Sequence, residues 1–395
     1  MFEELVTAAR FSKVHTWGRF LWGEAGATNS LYEHDGDVAH FDLEGRWQRA
    51  KVNGRTLLRG LDGVVLERFG GADGEDVRLT DVRLAHEAVT SLLERARLDA
   101  PLLLPGWTVE QLLAEKARFL EAYRPVGIVP PDRYRSLIIQ ATQGCAYNGC
   151  LFCSLYKGQR YRVVPPAELR THVDKVKAFV GSGLEARRGV FLGEANALAM
   201  PQAALLEVFD VLHAELPTLA TDVSSFIDAF DDYRTAAELA ALRARGLTRV
   251  FIGVESGDEP TLAALGKPAT VAGVSRLVKS LKAGGVSVGV IFLAGLGRAH
   301  VEKSAELLPT LGLDEDDVVY VSPLVVEGRA PFTPSGVEGR VSTSLDVNGL
   351  GPLAAQLERR GLANVDAEAE AIELRARLKG RAKVARYDVR RWVYA

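Results

Sequence analysis

Six apolar, strand-like runs alternate with helical patterns along the middle of this chain, and this alternation restricts the fold more than any other feature. The runs are Ser136–Gln140, Gly189–Leu192, Thr221–Ile227, Arg249–Val254, Val286–Leu293 and Asp317–Val321. The helical patterns between them are Glu168–Val180, Pro201–His213, Tyr233–Arg245, Val271–Ala283 and Val301–Leu311. Such alternation predicts an α/β fold with a parallel sheet and right-handed crossovers. Six units are too few for a closed eight-stranded barrel, so we expect a curved, partly open (β/α)6 barrel.

The first 125 residues have a different character. Four of the five tryptophans lie within the first 110 residues, and none lies between residues 125 and 391. Asp-Gly or Asn-Gly pairs at 35–36, 53–54 and 62–63 punctuate short apolar runs, a pattern typical of successive β-hairpins. Helical patterns follow at about 82–98 and 108–123. We therefore expect a small α+β domain over residues 1–125, which recruits substrate, forms a lid or supports the fold.

The chain changes again at its far end. A proline-rich linker at 125–131 leads into the core, which we place at residues 126–325. Beyond it, the stretch from about Pro352 to Lys379 is rich in Ala, Glu and Arg and predicts one or two surface helices. We expect a helical C-terminal extension over residues 326–395, whose aromatic residues Tyr387, Trp392 and Tyr394 pack on the barrel.

All three cysteines lie in one loop directly after the first strand-like run. Cys145, Cys150 and Cys153 have C-x4-C-x2-C spacing, which indicates a metal centre. A structural zinc site needs four ligands, and the fourth would have to be a histidine such as His172. A four-iron–four-sulfur (4Fe-4S) cluster accepts three thiolates and leaves one iron open for a ligand. The odd number of cysteines disfavours disulfides.

The N-terminal histidines are weaker metal-ligand candidates. His15, His34 and His40 could bind a metal, but core or solvated histidines are commoner. We assign them no role in the metal centre.

The cysteine loop resembles a known family. Gln140-Ala-Thr-Gln-Gly-Cys145, followed by Asn148-Gly-Cys150-Leu-Phe-Cys153 and Tyr156, is similar to the cluster-binding loop of radical S-adenosylmethionine (radical SAM) enzymes. It resembles the variant with four residues between the first two cysteines, in a bacterial and archaeal branch of iron–sulfur oxidoreductases. Phe152 is itself part of the family pattern, and the resemblance extends over roughly residues 130–325. It implies an enzyme in which Cys145, Cys150 and Cys153 hold a 4Fe-4S cluster and S-adenosyl-L-methionine (SAM) binds the open iron.

The resemblance also implies where SAM contacts lie, because parallel barrels carry their chemistry at the carboxyl ends of the strands. Gly193 and Glu194 would hold the methionine amino group, although Leu192 stands where the family has another glycine. Hydroxyl and carboxylate groups near Asp228 would contact ribose or substrate, and Gly295 would let the backbone approach the adenine ring. The implied cofactor-binding residues are Phe152, Gly193, Glu194, Ser224, Ser225, Glu255, Ser256 and Gly295.

Further charged and aromatic residues follow the cysteines. Tyr156, Lys157, Arg160 and Arg162 are candidates for contacting SAM or an anionic substrate. Exposed surface charge explains the three basic residues equally well.

The family resemblance implies a mechanism and its partners. An electron donor such as flavodoxin or ferredoxin would reduce the cluster, SAM would be cleaved to methionine and a 5′-deoxyadenosyl radical, and the radical would take hydrogen from a substrate that the sequence does not identify. No cysteine remains for a second cluster, which disfavours methylthiolating and peptide-modifying subclasses. The hairpin-rich N-terminal region does not resemble an alternating cobalamin-binding module.

Three alternatives remain open. The chain could be a non-catalytic iron–sulfur or haem-handling protein, an enzyme that transfers the aminocarboxypropyl group of SAM, or a zinc-stabilised RNA-binding protein. The balance of 48 basic against 51 acidic residues, a net charge of −3, gives no general reason to expect nucleic-acid binding. The N-terminal residues lack the pattern of a signal peptide and no long apolar stretch occurs, so we expect no membrane association and a cytoplasmic location.

Overall fold

The computed structural model describes residues 11–34, 36–69, 76–124, 126–153, 155–230, 234–324, 366–378 and 380–387. Within these ranges, no helix has both the length and the apolar character needed to span a membrane.

The N-terminal region forms an eight-stranded antiparallel sheet in which each strand pairs with the next along the chain. Its strands are β1 (Lys13–Trp17), β2 (Phe20–Ala25), β3 (Thr28–Glu33), β4 (Val38–Phe41), β5 (Trp47–Val52), β6 (Arg55–Arg59), β7 (Val65–Phe69) and β8 (Asp76–Leu79). Asn53 and Gly54 join β5 to β6 with φ angles of 51° and 74°, which a tight hairpin requires. The predicted hairpins are confirmed.

Two helices cover this sheet, α1 (Val82–Arg97) and α2 (Val109–Ala122). Asp81 accepts a hydrogen bond from the Leu84 amide and caps α1, while Thr108 and Gln111 form a capping box at α2. Trp47 and Leu92 are buried between sheet and helices. Both predicted helices are present, within one residue of the expected ends.

The described residues after α2 include a seven-stranded, entirely parallel sheet, whose strands are β9 (Leu137–Gln140), β12 (Val190–Gly193), β13 (Val223–Ile227), β14 (Leu247–Glu255), β15 (Ser287–Ala294), β16 (Val318–Pro323) and β17 (Lys383–Arg386). They lie in the order β17-β16-β15-β14-β13-β12-β9. The short strands β10 (Thr142–Gln143) and β11 (Arg162–Val163) pair with each other and close the base of the cysteine loop. All six predicted strands are present.

The helices of this part are α3 (Pro166–Val180), α4 (Gln202–Glu215), α5 (Ala236–Arg243), α6 (Glu259–Ala264), α7 (Val271–Ala283), α8 (Arg298–Leu307) and α9 (Ala367–Arg377). The predicted start of α5 at Tyr233 lies outside the described residues. The last turn predicted for α8 is instead a 3-10 helix, Leu308–Leu311, because Pro309 lacks the amide hydrogen that continues an α-helix.

The C-terminal extension differs from the expectation of a purely helical segment. Helix α9 is present, but β17 follows it and extends the parallel sheet beside β16. Tyr387 packs against Tyr320 and is 1% exposed, so this part of the aromatic tail does dock on the sheet. Trp392 and Tyr394 lie outside the described residues.

A buried arginine joins the N-terminal region to the parallel-sheet region. The Arg46 guanidinium lies 2.8 Å from Asp42 and 2.9 Å from Glu115. It also donates hydrogen bonds to the carbonyls of Phe179 and Val180 at the end of α3. The two regions are therefore held together by a buried, hydrogen-bonded charge.

Candidate functional site

The cysteine loop leaves the carboxyl end of β9 and is fastened at several points. Tyr147 donates its hydroxyl hydrogen to the Gly266 carbonyl at 2.7 Å, and the Leu151 amide donates to the Leu265 carbonyl at 2.9 Å. The Asn148 amide points at Cys145 Sγ, 3.4 Å away. Gly144 adopts a φ of 67°, and a side chain there would meet the Arg160 backbone at 3.2 Å. These contacts fix the path of the loop that carries the thiols.

The three thiols are half-buried and unbridged. Burial raises the pKa of Cys150 to about 12 and that of Cys153 to about 11. Buried thiolates therefore need a positive partner, which the irons of a cluster provide. Among the described residues, no three metal-binding side chains converge on the position of a single ion. A cube places each thiolate on a different iron, so a cluster does not need three sulfurs that converge on one ion.

The histidine that the zinc interpretation needs is engaged elsewhere. His172 Nε2 accepts a hydrogen bond from the Gln140 amide at 3.0 Å, and Nδ1 lies 2.9 Å from the Ala122 carbonyl. Burial lowers the pKa of His172 to about 4, so the ring is neutral near pH 7. The two ring nitrogens thus link α3 to Gln140 of β9 and to Ala122 of α2.

Glu194 follows β12 and faces the start of the cysteine loop. One carboxylate oxygen accepts the Gly144 amide at 2.7 Å, and the other accepts Gln140 Nε2 at 2.8 Å. Burial raises the pKa of Glu194 to about 7. Gly193 and Glu194 line one cleft with Tyr156 and Phe226. The structure therefore places this predicted pair beside the first cysteine.

Gln140 is a functional candidate that sequence reasoning left out, although it opens the cysteine motif. Its side chain accepts from the Arg124 amide and donates to the Arg124 carbonyl, in addition to its bond with Glu194. It links the N-terminal region, the cysteine loop and the β12 loop. Its position as a polar residue at the end of an apolar strand was the available signal.

Ser224 and Ser225 lie on β13 and are fully buried. Ser225 Oγ donates to the Leu192 carbonyl at 2.7 Å, and Ser224 Oγ lies 3.5 Å from the Val190 carbonyl. Both hydroxyls therefore turn to the neighbouring strand β12. Asp228, just beyond the strand, faces Lys267 instead.

A buried ion cluster lies at the end of β14. Lys267 Nζ is 2.9 Å from Glu255 and 3.7 Å from Asp228. Burial raises the pKa of both carboxylates, and Lys267 opposes that rise. Burial alone would lower the pKa of Lys267, but Glu255 and Asp228 raise it above its usual value. The charges of Lys267 and Glu255 also act on Cys150, so this cluster adjoins the cysteine loop.

Lys267 was missed by sequence reasoning. It stands in a Leu-Gly-Lys-Pro stretch after the short helix α6 and has the ordinary appearance of a surface lysine. Only its 5% exposure and its two carboxylate partners distinguish it.

Ser256, next to Glu255, points away from the ion cluster into a second network. Its hydroxyl lies 2.8 Å from His300 Nδ1 and accepts the Asp258 amide at 3.0 Å. The predicted pair Glu255 and Ser256 is therefore divided between two networks. Glu255 adjoins the cysteine loop, whereas Ser256 contacts α8.

Gly295 lies in the turn after β15, where a backbone close to adenine was expected. The structure gives another reason for glycine there, since a side chain would meet Ala367 of α9 at 2.9 Å. The Gly295 amide is occupied by the Glu370 carboxylate, which sequence reasoning placed on a surface helix. Glu370 is instead 7% exposed.

The remaining predicted residues surround the loop. Phe152 packs against a small apolar cluster of Leu265, Leu293 and Leu296. Tyr156 is buried, and Lys157 donates to the Asn148 carbonyl at 2.7 Å, which stiffens the loop. Arg162 pairs with Glu168, and Arg160 is exposed.

Part of the chain is similar to known proteins. Residues 139–308 match the family model described as the Radical SAM superfamily. A structure of TsrM from Kitasatospora setae, a radical S-adenosylmethionine methyltransferase with cobalamin and a 4Fe-4S cluster bound, is 22% identical with a TM-score of 0.38, covering 51% of this chain and 40% of TsrM. Coproporphyrinogen III oxidase (HemN) from Escherichia coli, a radical SAM enzyme, is 15% identical with a TM-score of 0.40, covering 65% of this chain and 57% of HemN.

This chain therefore spans about 40% of the length of TsrM and less than two-thirds of HemN. No curated protein matches it.

Proposed function

Because this chain carries a domain of the Radical SAM superfamily over residues 139–308, we propose that it is a radical SAM enzyme. Cys145, Cys150 and Cys153 would hold a 4Fe-4S cluster. The observation that carries the proposal is that all three half-buried thiols lie on one loop fastened at the carboxyl edge of a parallel sheet.

A bound cluster and SAM supply the electron and the 5′-deoxyadenosyl group that together remove hydrogen from a substrate. The chain's own residues bind and orient. Gly193 and Glu194, beside the first cysteine, take the methionine end of SAM. Lys267 adjoins the loop, where its charge opposes the rise in the pKa of Cys150 and so favours the thiolate that a cluster would bind.

The adenosine end of SAM would extend along the neighbouring strand ends. Glu255 lies at the end of β14 and Gly295 follows β15, the strand beside it. Phe152 contributes an apolar wall, and Ser224 and Ser225 shape the backbone of β13 toward β12.

The wider architecture belongs to the same proposal. The first six strands of the parallel sheet would curve into a partial (β/α)6 barrel, with β17 extending its edge. Residues 1–125, 126–325 and 326–395 would be the accessory domain, the core and the C-terminal extension. The enzyme would work in the cytoplasm with an electron donor such as flavodoxin or ferredoxin on a substrate still to be found.

The test is anaerobic reconstitution of the full chain, followed by iron and sulfide analysis and incubation with SAM and a reductant. We expect about four irons per chain and formation of 5′-deoxyadenosine. Replacement of all three cysteines by alanine should abolish both. Cell extract added to the loaded enzyme, with product analysis, would then identify the molecule that donates hydrogen.

Other outcomes identify the alternatives. Zinc without iron would establish a zinc protein and overturn the proposal. A cluster that yields methylthioadenosine would indicate aminocarboxypropyl transfer. A cluster that yields neither nucleoside, with or without extract, would indicate a non-catalytic iron–sulfur or haem-handling protein.

A further inference from the structure

The Glu370 carboxylate occupies a pocket of backbone amides at the end of β15. Glu370 Oε1 accepts hydrogen bonds from the amides of Gly295 and Leu296, at 2.7 and 2.8 Å. Glu370 Oε2 accepts the Gly297 amide at 2.7 Å. Three successive amides that converge on one anion form a concave site for negative charge. Here a side chain of the same chain fills that site.

The turn after β15 and helix α9 pack closely against each other. Gly295 and Gly297 have φ angles of 98° and 89°, which residues with side chains rarely adopt. Ala367, one turn before Glu370, sits where a side chain at position 295 would be. Removal of the Glu370 carboxylate would leave three buried amides without an acceptor, so this turn would lose its conformation.

His300 lies beside the same carboxylate and contacts the residues that follow β14. His300 Nε2 lies 4.0 Å from Glu370 Oε1, and His300 Nδ1 lies 2.8 Å from Ser256 Oγ. Ser304 Oγ lies 3.3 Å from His300 Nδ1 and accepts the Gly257 amide at 3.0 Å. Glu255, which pairs with Lys267 beside the cysteine loop, directly precedes Ser256. Glu370 thus binds the β15 turn directly and lies next to His300, which contacts the residues that follow β14.

We propose that Glu370 is a positioning residue for SAM, an inference that rests on the proposed function. It fixes the ends of β14 and β15 in the geometry that the adenosine part of SAM contacts, without touching SAM itself. The C-terminal segment is therefore required for cofactor binding even though it lies outside residues 139–308, which match the family.

The experiment compares Glu370→Ala with Glu373→Ala in the anaerobically loaded full chain. Glu373 lies on the same helix, is exposed, and pairs only with Arg377 among the contacts described, so it is a matched control. Iron content and SAM binding by equilibrium dialysis are the measurements. We expect both variants to keep their iron, and Glu370→Ala alone to weaken SAM binding by about tenfold or more.

Rescue separates positioning from general stability. Acetate supplies the missing carboxylate to the amide pocket, so it should restore SAM binding to Glu370→Ala and leave the wild type unchanged. Leu374→Ala, which removes a fully buried side chain from the same helix, should lose stability and show no rescue. Amide hydrogen exchange in the metal-free chain should be faster at residues 295–297 in Glu370→Ala and slower again with acetate.

Unchanged SAM affinity in Glu370→Ala would overturn the proposal. So would weaker binding that acetate fails to restore, because Glu370 would then act only through the stability of α9. A wild-type chain that takes up no iron or binds no SAM would defeat the proposed function instead, and the exchange measurement would still report whether Glu370 holds the turn.

Discussion

At the scale of single residues, Lys267 illustrates how a buried charge depends on its partners. Lys267 lies 2.9 Å from Glu255 and 3.7 Å from Asp228, two carboxyl groups whose pKa values burial has raised. Removal of one partner from a buried ion pair is strongly destabilising, because the remaining charge has neither water nor a counter-ion. The stability of the end of β14 therefore rests on this lysine.

We predict that Lys267→Met lowers the free energy of unfolding of the metal-free chain by about 3–5 kcal/mol near pH 8. The deficit should shrink near about pH 5. Without Lys267, the folded-state pKa values of Glu255 and Asp228 rise further above their unfolded values, so stability is retained at low pH and lost as pH rises through them. Urea unfolding at both pH values measures the difference.

Lys303→Met is the matched control for that prediction. Lys303 is exposed and pairs with Glu306 on the same helix, so its loss should change stability by less than about 0.5 kcal/mol. Equal effects of the two substitutions would contradict the importance of the buried cluster.

Asp62 supplies a second prediction, remote from the cysteines. Burial raises its pKa to about 7, and its carboxylate accepts the Val64 amide at 3.1 Å. Between about pH 5 and pH 7 the unfolded chain has already released this proton while the folded chain retains it, so stability falls as pH rises.

Asp62→Asn keeps the hydrogen-bond acceptor for the Val64 amide and removes the titrating group. We expect the variant to gain about 2–3 kcal/mol relative to wild type between about pH 5 and pH 8, measured by urea unfolding. Parallel pH profiles of the free energy of unfolding in wild type and Asp62→Asn would contradict this prediction.

At the scale of elements, helix α2 connects the N-terminal sheet to the linker before β9. Thr108 Oγ1 accepts the Gln111 amide, and Gln111 Oε1 accepts the Thr108 amide. We predict that Thr108→Ala lowers the free energy of unfolding by about 1 kcal/mol. The substitution removes the hydroxyl that accepts the Gln111 amide, and this hydroxyl also orders the Thr108 backbone whose amide donates the reciprocal bond. Thr108→Ser should retain most of the stability, since it keeps the hydroxyl. Equal free energies of unfolding in Thr108→Ala and Thr108→Ser would show that the hydroxyl contributes nothing to stability.

The elements themselves were largely predictable, and the exceptions have a physical cause. The Asn-Gly pair at 53–54 and the 3.6-residue periodicity of Leu169, Val173 and Val176 are local signals, so hairpins and helices followed from them. Strand β17, with the sequence Lys-Val-Ala-Arg, has no such signal. Its strand conformation depends on the open edge of β16, which only the folded chain provides.

At the scale of the whole molecule, Arg46 couples the N-terminal region to the parallel-sheet region. We predict that Arg46→Met separates the unfolding of the two regions, because Asp42 and Glu115 would remain as buried charges and two α3 carbonyls would lose a donor. Four of the five tryptophans, Trp17, Trp22, Trp47 and Trp107, lie in the N-terminal region, so tryptophan fluorescence of the Trp392→Phe background reports that region, and far-ultraviolet circular dichroism reports the whole chain. The two signals should coincide in wild type and diverge in the variant. Coincident transitions in both proteins would contradict this coupling.

The candidate site was predictable to the extent that it is local. The three cysteines could be proposed from their spacing, and Gly193 and Glu194 from the family resemblance together with their position at a strand end. The division of Glu255 and Ser256 between two networks could not be proposed. It depends on Lys267 and His300, which approach from other elements.

The sequence by itself determined the six alternating strands and helices, the hairpins of the first sheet, and the gathering of every cysteine in one loop. These features arise from periodicity, turn residues and spacing within a few residues, which act before the chain has folded. Only the tertiary structure decided that Lys267 is buried against two carboxylates, that Arg46 bridges two regions, and that Glu370 fills the amide pocket after β15. Those pairings join distant positions, and their energy comes from burial, which no local pattern records.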